Sequence, residues 1–420
     1  MYKHKLPNGV TVLVDSDPRF SSVSLAISLH GGLRSENLET VGLTHLCEHL
    51  LFKRTATKSP LQIAQLIDSL GGEVNAFTDA DCLCIHGLVT KSDSAKLMDF
   101  FAEILLQTSF TEKDLELERE VIRQEILESQ DDPIDTVYRK FSTCFWPNSI
   151  LGYPVFGDLE RLESFSYGDV YERLHSLLQG DKIIIVASGA ITPEEVLAFA
   201  EKNFGHLAAG KKAELERPVS DSGLNLFQEK FSQVHFALGC PAAGMADGKF
   251  DACAIVASVL GGGVSSRLFQ ALRENHGLVY DISAGLDIHA DTSALLITGA
   301  CEIDNLPMAL ELLVSEISNL KAKKIDANEL ERIVSSHRAQ LAMEDDSISS
   351  RMWRALESEM MHGRQVTNKE IIERLDKLSL VEVNGLVDTM LANFLLVIVG
   401  DIEEFEASET VKELCGEKVG

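Results

Sequence analysis

The chain has 420 residues, 45 % of them hydrophobic, so it is long enough for two or three domains with sizeable cores. Its net charge of −27 excludes nucleic acid as an expected partner, because nucleic-acid binding depends on Lys and Arg contacts to phosphates. No stretch approaches the roughly 20 consecutive apolar residues of a membrane span, and residues 1–17 predict a strand pair rather than a signal peptide. We therefore expect a soluble, cytoplasmic protein that does not associate with membranes.

The first half of the chain contains one helical run with unusual polar residues. A strand predicted over 21–30 leads into the sequence VGLTHLCEHLLFKR of residues 41–54. At about 100° per residue, His45 and His49 lie one turn apart on one helix face, and Glu48 lies in the same arc. The order H-x-x-E-H is the inverse of the zincin H-E-x-x-H and predicts a metal site. A buried helix with two hydrogen-bonded core histidines is the alternative.

Capping and turn signals predict the remaining elements of the first half. Thr111 with Asp114 forms a capping-box pattern that begins a long helix, in which Val121, Ile122 and Ile126 are predicted to form the buried apolar face. The other predicted elements are a helix from Ser59-Pro60 to Gly71-Gly72, strands over 73–77 and 82–89, a helix over 93–107, a strand over 182–188, and helices that begin at Ser166 and Thr192.

The sequence loses its periodicity after about residue 205, and the pattern then repeats. We predict a domain over 1–210, a linker over 211–224 and a homologous domain over 225–420. Two pairs of segments echo each other across this linker: LELEREV (115–121) with NELERIV (328–334), and IIIVASGAI (183–191) with LLVIVGDI (395–402). The predicted fold class is therefore α+β, with two similar units that each consist of a sheet with helices packed on it.

The second half carries no H-x-x-E-H motif, but it has a signal of its own. The segment LGGGVSSRLFQALRENHGLVYDISA of residues 260–284 is rich in glycine. It is a weak candidate for a phosphate-binding loop, because the G-K-[S/T] ending of such loops is absent.

Three stretches together resemble the M16 family of inverted-zincin metallopeptidases, which includes pitrilysin, insulysin and the mitochondrial processing peptidases. They are VGLTHLCEHLLFKRT, GGEVNAFTD (71–79) and LEREVIRQEI (117–126), and the likeness extends over nearly the whole chain. The resemblance implies one zinc ion (Zn²⁺) per chain, bound by His45, His49 and a glutamate about 76 residues further on, which is Glu125. It also implies that Glu48 is the catalytic general base and that Glu118 supports the site. The family motif does not recur in the second half, where Arg338 is predicted to stand in the place of Glu125.

The same resemblance implies how substrate binds. Asn75, Ala76 and Phe77 would lie on an edge strand to which the substrate backbone adds, and an ordinary hairpin strand is the alternative. Arg273 and Tyr280 match an arginine and a tyrosine, seven residues apart, that contact substrate in the family; a locally satisfied pair is the alternative.

The implied function is zinc-dependent cleavage of unstructured peptides inside a chamber. Because the full-length relatives hold four such units and this chain holds two, we expect a homodimer, with a heterodimer containing an M16-like partner also possible. Whether the negative charge selects basic peptides or only keeps the protein soluble stays open. The alternative function is a non-catalytic M16-like scaffold or partner subunit. A structural zinc site would require a fourth protein ligand, and the sequence offers none with suitable spacing.

Overall fold

The computed structural model of the chain describes residues 1–211, 217–403 and 405–416. The strands are β1 (Tyr2–Lys5), β2 (Thr11–Ser16), β3 (Ser22–His30), β4 (Glu73–Thr78), β5 (Cys82–Thr90), β6 (Ile183–Gly189), β7 (Gly223–Gln228), β8 (Val234–Ala243), β9 (Ile282–Ile288), β10 (Thr292–Cys301) and β11 (Leu395–Gly400). The helices are α1 (Leu43–Leu51), α2 (Pro60–Leu70), α3 (Ser94–Leu106), α4 (Glu112–Asp131), α5 (Pro133–Phe145), α6 (Leu159–Ser164), α7 (Tyr167–Leu177), α8 (Pro193–Phe204), α9 (Phe250–Gly261), α10 (Leu306–Lys323), α11 (Ala327–Glu344), α12 (Ile348–His362), α13 (Asn368–Lys377), α14 (Leu380–Met390) and α15 (Glu409–Leu414).

The described residues form two compact units that are not contiguous in sequence. Unit 1 contains residues 1–128, 153–211 and 343–360, and unit 2 contains 129–152, 217–342 and 361–416. The predicted contiguous domains 1–210 and 225–420 therefore do not coincide with these units. The predicted linker 211–224 overlaps the start of β7, and its residues 212–216 lie outside the described part of the chain.

Unit 1 is built on a six-stranded sheet in the order β1-β2-β6-β3-β5-β4. The β2–β6 pair is parallel and the other neighbouring pairs are antiparallel, so β4 is an edge strand next to β5. Alternate residues of the central strands, such as Leu25 and Ile27 of β3, face a hydrophobic core that also contains side chains of α1, α3, α4, α7 and α8. The sheet thereby fixes the position of α1, the helix that carries the H-x-x-E-H motif.

The second face of this sheet is covered by α12, a helix from late in the chain. Small residues of β3 face it, and the Ser24 hydroxyl lies 3.2 Å from the sulfur of Met352. Ion pairs join α12 to β2 and the residue after it, because Arg351 Nε lies 2.6 Å from Asp15 Oδ2 and Arg351 Nη1 3.2 Å from Asp17 Oδ2. The central strands β3 and β6 are therefore buried on both faces, which explains their mostly hydrophobic sequences.

Unit 2 is built on a five-stranded sheet in the order β7-β11-β8-β10-β9, with β7 and β11 parallel and the other pairs antiparallel. Helix α5, from the first half of the chain, packs on β8 and β11. The ring of Phe141 lies so close to Gly239 that a Cβ at residue 239 would stand 2.4 Å from the ring. Glycine at this position therefore allows α5 to approach the sheet.

The two sheets confirm the predicted duplication. Strands β2, β6, β3, β5 and β4 of unit 1 have the same order and pairing as β7, β11, β8, β10 and β9 of unit 2. Helices α1, α3 and α4 likewise occupy the same places in chain order as α9, α10 and α11.

The predicted alignment of α11 with α4 is wrong by two residues. The helices begin at Glu112 and Ala327, and their buried positions match in that register, with Leu115 and Glu118 equivalent to Leu330 and Ile333. In this register Gln340, not Arg338, is the counterpart of Glu125. Arg338 instead forms an ion pair with Asp376. The short sequence repeat gave the wrong alignment because charged surface residues recur in both helices at positions that are shifted relative to the buried residues.

The predicted apolar face of α4 is also partly wrong. Ile122 and Ile126 are buried, but Val121 is 43 % exposed, and Leu115 takes its place in the core. The predicted start of this helix is confirmed, since the Asp114 carboxylate accepts the N–H of Thr111 at 2.8 Å and the Thr111 hydroxyl accepts the N–H of Asp114. In the described part of the chain, no helix is long and apolar enough to cross a membrane.

We predict that α5 stabilises unit 2 through Phe141, which is 3 % exposed. The substitution Phe141→Ala removes a buried ring and should lower the free energy of unfolding by about 3–5 kcal/mol, measured by urea denaturation of the full chain. Tyr138→Ala, on the same helix but 40 % exposed, is the matched control and should cost about 1 kcal/mol or less. Equal losses from the two substitutions would contradict this account of α5.

Candidate metal centre

Helix α1 is held at its start by a carboxylate from the preceding loop. Glu36 accepts the backbone N–H of Gly42 at 2.9 Å and that of Thr44 at 2.6 Å. Gly42 itself has φ +93°, a left-handed conformation that favours glycine. Because α1 has only nine residues, satisfying its first N–H groups and complementing its dipole contribute substantially to its stability.

A half-buried arginine connects the same loop to α1. Arg173 of α7 donates from Nε to the Thr44 hydroxyl at 2.9 Å, and from Nη2 to the Gly31 carbonyl at 2.5 Å and the Ser35 hydroxyl at 2.6 Å. Glu36 of the loop and Arg173 of α7 therefore both hold the backbone at the start of α1.

The motif histidines lie at the edge of an apolar surface, as predicted. Leu43, Leu46, Cys47, Leu50 and Leu51 of α1 are all buried. The side chains of His45 and His49 retain 16 % and 15 % of their exposure. The imidazoles are thus largely removed from water, but one side of the site stays open.

The structure brings His45, His49 and Glu125 together. One ligand atom from each lies within 4.8 Å of the other two, and among the described residues this is the one such group of His, Cys, Asp or Glu. Glu125 Oε2 lies 3.9 Å from His45 Nε2 and 3.5 Å from His49 Nε2. Glu125 is 41 % exposed, so its carboxylate can reorient toward an ion.

Glu118 orients His49 from the other side. Its Oε2 lies 3.1 Å from His49 Nδ1, and its Oε1 lies 2.5 Å from Lys53 Nζ. The hydrogen bond assigns the proton of a neutral His49 to Nδ1, which leaves the Nε2 lone pair facing Glu125. Burial alone raises the pKa of Glu118, but His49 and Lys53 outweigh it and hold the pKa of this carboxyl below its usual value.

The two imidazoles differ in their electrostatic surroundings. Burial, and secondarily His49, lowers the pKa of His45 to about 3, so this imidazole is neutral at pH 7. Burial also lowers the pKa of His49, but the hydrogen bond with Glu118 and the charges of Glu125 and Glu48 outweigh it, so that the pKa is raised. The cluster around His49 therefore favours a positive charge, which either a proton or a metal ion supplies.

The donor set fits zinc. Two imidazole nitrogens and a carboxylate oxygen are common ligands of this ion, and bonds of about 2.0–2.1 Å in a tetrahedral site separate ligand atoms by roughly 3.3 Å. The observed separations of 3.5 and 3.9 Å are close to that value. The Nδ1 of His45 is buried and has no hydrogen-bond partner in the described part of the chain, so this ring is less firmly oriented than that of His49.

Glu48 lies against the edge strand of the sheet. The hydroxyl of Thr78, the last residue of β4, donates to Glu48 Oε2 at 2.7 Å. Burial raises the pKa of Glu48 more than Thr78 and His49 lower it, so the carboxyl has a pKa above its usual value. A carboxylate with such a pKa is a stronger base at neutral pH.

The predicted substrate residues of β4 point to different faces of the sheet. Ala76 packs with the core on the side of α1, whereas the Phe77 ring packs on Trp353 of α12 at a ring-centroid distance of 5.6 Å. By strand alternation, Asn75 shares the face of Phe77. The Ala76 N–H donates to the Asn75 side-chain oxygen at 2.9 Å, and because β4 is an edge strand, its outer edge offers backbone groups to a ligand.

Arg273 and Tyr280 belong to unit 2 and contact each other there. The guanidinium of Arg273 lies 5.4 Å from the centre of the Tyr280 ring and 4.7 Å from that of Phe269. It forms no hydrogen bond or ion pair with any residue that the structure describes, and Tyr280 is 83 % exposed. Arg273 lies in a π-helical turn, Phe269–Glu274, a feature frequent at functional sites.

Sequence reasoning missed Thr78, Lys53, Glu36 and Arg173. Thr78 could have been found, because strand alternation puts it on the face of Ala76. Lys53 could have been found too, since it follows His49 by one helical turn. Glu36 and Arg173 carry no local signal, because their contacts with α1 depend on the path of a loop and on the packing of α7.

Comparisons with known proteins identify the family of the chain. A sequence profile described as "Insulinase (Peptidase family M16)" matches residues 11–159, and one described as "Peptidase M16 inactive domain" matches residues 164–336. A Bacillus subtilis (strain 168) protein named "Uncharacterized zinc protease YmxG" is 31 % identical over 385 residues, which cover 91 % of this chain and 94 % of that protein.

Two solved structures have the same fold. A protease from Helicobacter pylori superposes with a TM-score of 0.87 at 18 % identity, covering 95 % of this chain and 99 % of its own. A structure from Pseudomonas fluorescens, described as a peptidase M16 inactive domain, superposes with a TM-score of 0.88 at 16 % identity, covering 97 % and 99 %. With both sequence profiles and a relative that matches along nearly its whole length, this chain belongs to peptidase family M16.

Proposed function

We propose that the chain is a zinc-dependent endopeptidase that cleaves unstructured peptides. The observation that carries this proposal is the convergence of His45, His49 and Glu125, with Glu48 on the same helix as the histidines. The name of the Bacillus subtilis relative, a zinc protease, supports the choice of metal and reaction.

His45, His49 and Glu125 would hold the metal, and the exposed side of the site leaves room for water and substrate. A bound zinc ion supplies Lewis acidity, which polarises a carbonyl and lowers the pKa of a coordinated water to about 7. Glu118 and Lys53 keep the His49 ring in the orientation and tautomer that direct Nε2 to the metal position.

Glu48 is the proton carrier of the proposed reaction. Its carboxylate accepts a proton from the attacking water and returns it to the amine nitrogen that leaves when the peptide bond breaks. The Thr78 hydroxyl fixes this carboxylate through Oε2. Burial keeps its pKa above the usual value, which strengthens it as a base.

The outer edge of β4 is the proposed binding surface for substrate. An extended peptide can add to this edge as a further strand, replacing the contact between the Ala76 N–H and the Asn75 side chain. Backbone hydrogen bonds accept many sequences, so this mode suits peptides that lack structure of their own. The side chains of Asn75 and Phe77 face away from α1, so their contribution would be through the backbone.

A non-catalytic scaffold or partner subunit is the competing function. Such a role does not require a general base, yet Glu48 is present, hydrogen-bonded and next to the metal ligands of the motif. The complete set of polar groups therefore favours the peptidase.

We predict that Glu48→Gln retains zinc but loses turnover by at least about 10²-fold, because the amide cannot accept a proton. The measurement is cleavage of a quenched, unstructured peptide, with zinc content determined on the same samples. Glu120→Gln, on a carboxylate that is 65 % exposed on α4, is the control and should retain normal turnover. Near-normal turnover of zinc-loaded Glu48→Gln would rule out the proposed role.

The active assembly is proposed to be a homodimer with two composite sites. The Arg273 guanidinium lies over the exposed Tyr280 ring and has no ionic partner in the described part of the chain, as expected of a group that binds a ligand. The family resemblance pairs such residues with a metal site of another half of the assembly. Each site would join His45, Glu48, His49 and Glu125 of one protomer to Arg273 and Tyr280 of its partner. A heterodimer with an M16-like partner is the variant of this proposal.

We predict that Glu48→Gln and Arg273→Ala proteins, each nearly inactive alone, regain activity when mixed and allowed to exchange subunits. A mixed dimer has one site with both changes and one intact site, so random reassortment should give about a quarter of wild-type activity. Peptide cleavage measured alongside subunit exchange tests this. No recovery despite exchange, or full activity of a monomer, would contradict the composite site.

A further inference from the structure

Unit 2 contains a pocket between α9, α11 and the glycine-rich loop that follows α9. Its volume is about 170 Å³. A cavity needs roughly 10–15 Å³ to hold one water, so this pocket has room for a small solute. Neither the family profiles nor the candidate metal centre accounts for it.

The pocket occupies the same place in unit 2 as the candidate metal centre does in unit 1. Ser258 and Gly262, one turn apart at the end of α9, line it as the paired histidines of α1 line the metal centre. On α11, Ile333 and Gln340 line it, and in the register of the buried faces they are the counterparts of Glu118 and Glu125. In unit 2 this place therefore holds a pocket that no Asp, Glu or Cys of the described residues lines.

One buried hydroxyl in the pocket has no partner. Ser266 is 5 % exposed, and its Oγ makes no hydrogen bond to any described residue. Ser258, by contrast, is hydrogen-bonded to His337 Nε2 at 3.1 Å. The Oγ has less than 1 Å² of accessible surface, so the hydroxyl must rotate about the Cα–Cβ bond to reach a ligand in the pocket. An unsatisfied buried hydroxyl costs about 1–3 kcal/mol, so a ligand that then accepts its hydrogen bond gains from occupying the pocket.

The charge of the pocket is positive, although the chain carries a net charge of −27. Among the residues that the structure describes, no Asp or Glu lines it, and Arg332 does. Arg332 forms no ion pair with the described residues, because the nearby Glu329 on α11 is bound by Arg267, with Nη2 at 2.7 Å and Nε at 2.9 Å from its oxygens. An exposed arginine without an ion-pair partner in the described part of the chain, next to the Ser266 hydroxyl, is a setting for an anion.

We propose that this pocket binds a small oxyanion, with the Arg332 guanidinium and the Ser266 hydroxyl as its donors. The guanidinium suits two oxygens of one group, which both a carboxylate and a phosphate provide. The shared chemistry admits two sources, a free phosphate or the terminal carboxylate of a peptide. This site is separate from the metal-binding residues and does not depend on zinc.

Calorimetric titration of the full chain with inorganic phosphate, at constant ionic strength, tests the proposal. Arg332→Gln should weaken binding by about tenfold or more, since it removes a charge-assisted contact. Ser266→Ala should also weaken phosphate binding, while the phosphate-free protein should unfold at the same or a higher temperature because an unpartnered hydroxyl is gone. A fold defect would lower that temperature, so the two causes of lost binding are distinguishable.

Arg338→Gln is the matched control. It removes the same charge from the same helix, does not line the pocket, and should leave phosphate binding unchanged. Equal phosphate affinities of the wild-type, Arg332→Gln and Arg338→Gln proteins would overturn the proposal. Such binding would belong to the metal centre or to net charge alone.

A second arm identifies the source of the anion. In the Glu48→Gln background, which should not cleave it, an unstructured peptide with a free C-terminus is compared with its amidated form. If the peptide with a free C-terminus competes with phosphate and the amidated peptide does not, a peptide carboxylate is identified as a ligand. If phosphate binds and neither peptide competes with it, phosphate is identified as the ligand. Binding of neither phosphate nor the peptide acid would overturn the oxyanion site.

Discussion

Two largely buried imidazoles held between two carboxylates are the arrangement on which the rest of the site depends. His45 is neutral because burial disfavours its charged form, whereas His49 lies between Glu118 and Glu125, which favour a positive charge. A metal ion at the shared Nε2 side satisfies both conditions at once. Glu36 of the preceding loop and Arg173 of α7 keep this short helix in place through their hydrogen bonds.

Sequence reasoning named the histidine pair and predicted the duplication, because both depend on local spacing, whereas Glu125 was named from the family resemblance. The histidine pair needs only the helical repeat, and the strand patterns of the two halves need only alternation. The exchange of α5 and α12 between units was not predictable in this way, since nothing local distinguishes which of two sheets an amphipathic helix covers. The errors at Val121 and Arg338 have a related cause: in a highly charged helix the apolar stripe is narrow, and a shift of one or two residues changes which side chains are buried.

The duplication separates what the fold requires from what the chemistry requires. Both units keep the strand order and the three equivalent helices, so these features belong to packing. Only unit 1 has His45, His49 and Glu125 there, whereas unit 2 has Ser258, Gly262 and Gln340. The match of the second half to a profile for an inactive domain agrees with this difference. The unit 2 pocket, whose described lining has one histidine and no carboxylate or thiol, is free to take another ligand class.

Zinc content of the purified chain is the most direct measurement of the central claim, that His45, His49 and Glu125 hold a metal. We expect about one zinc per chain, with peptidase activity lost on chelation and restored by zinc. Glu125→Gln should lose most of this zinc, Glu118→Gln should have a milder effect because it acts through the orientation of His49, and Glu120→Gln should retain it. A metal-free protein that still cleaves peptides, or a Glu125→Gln protein with undiminished zinc affinity, would contradict the account.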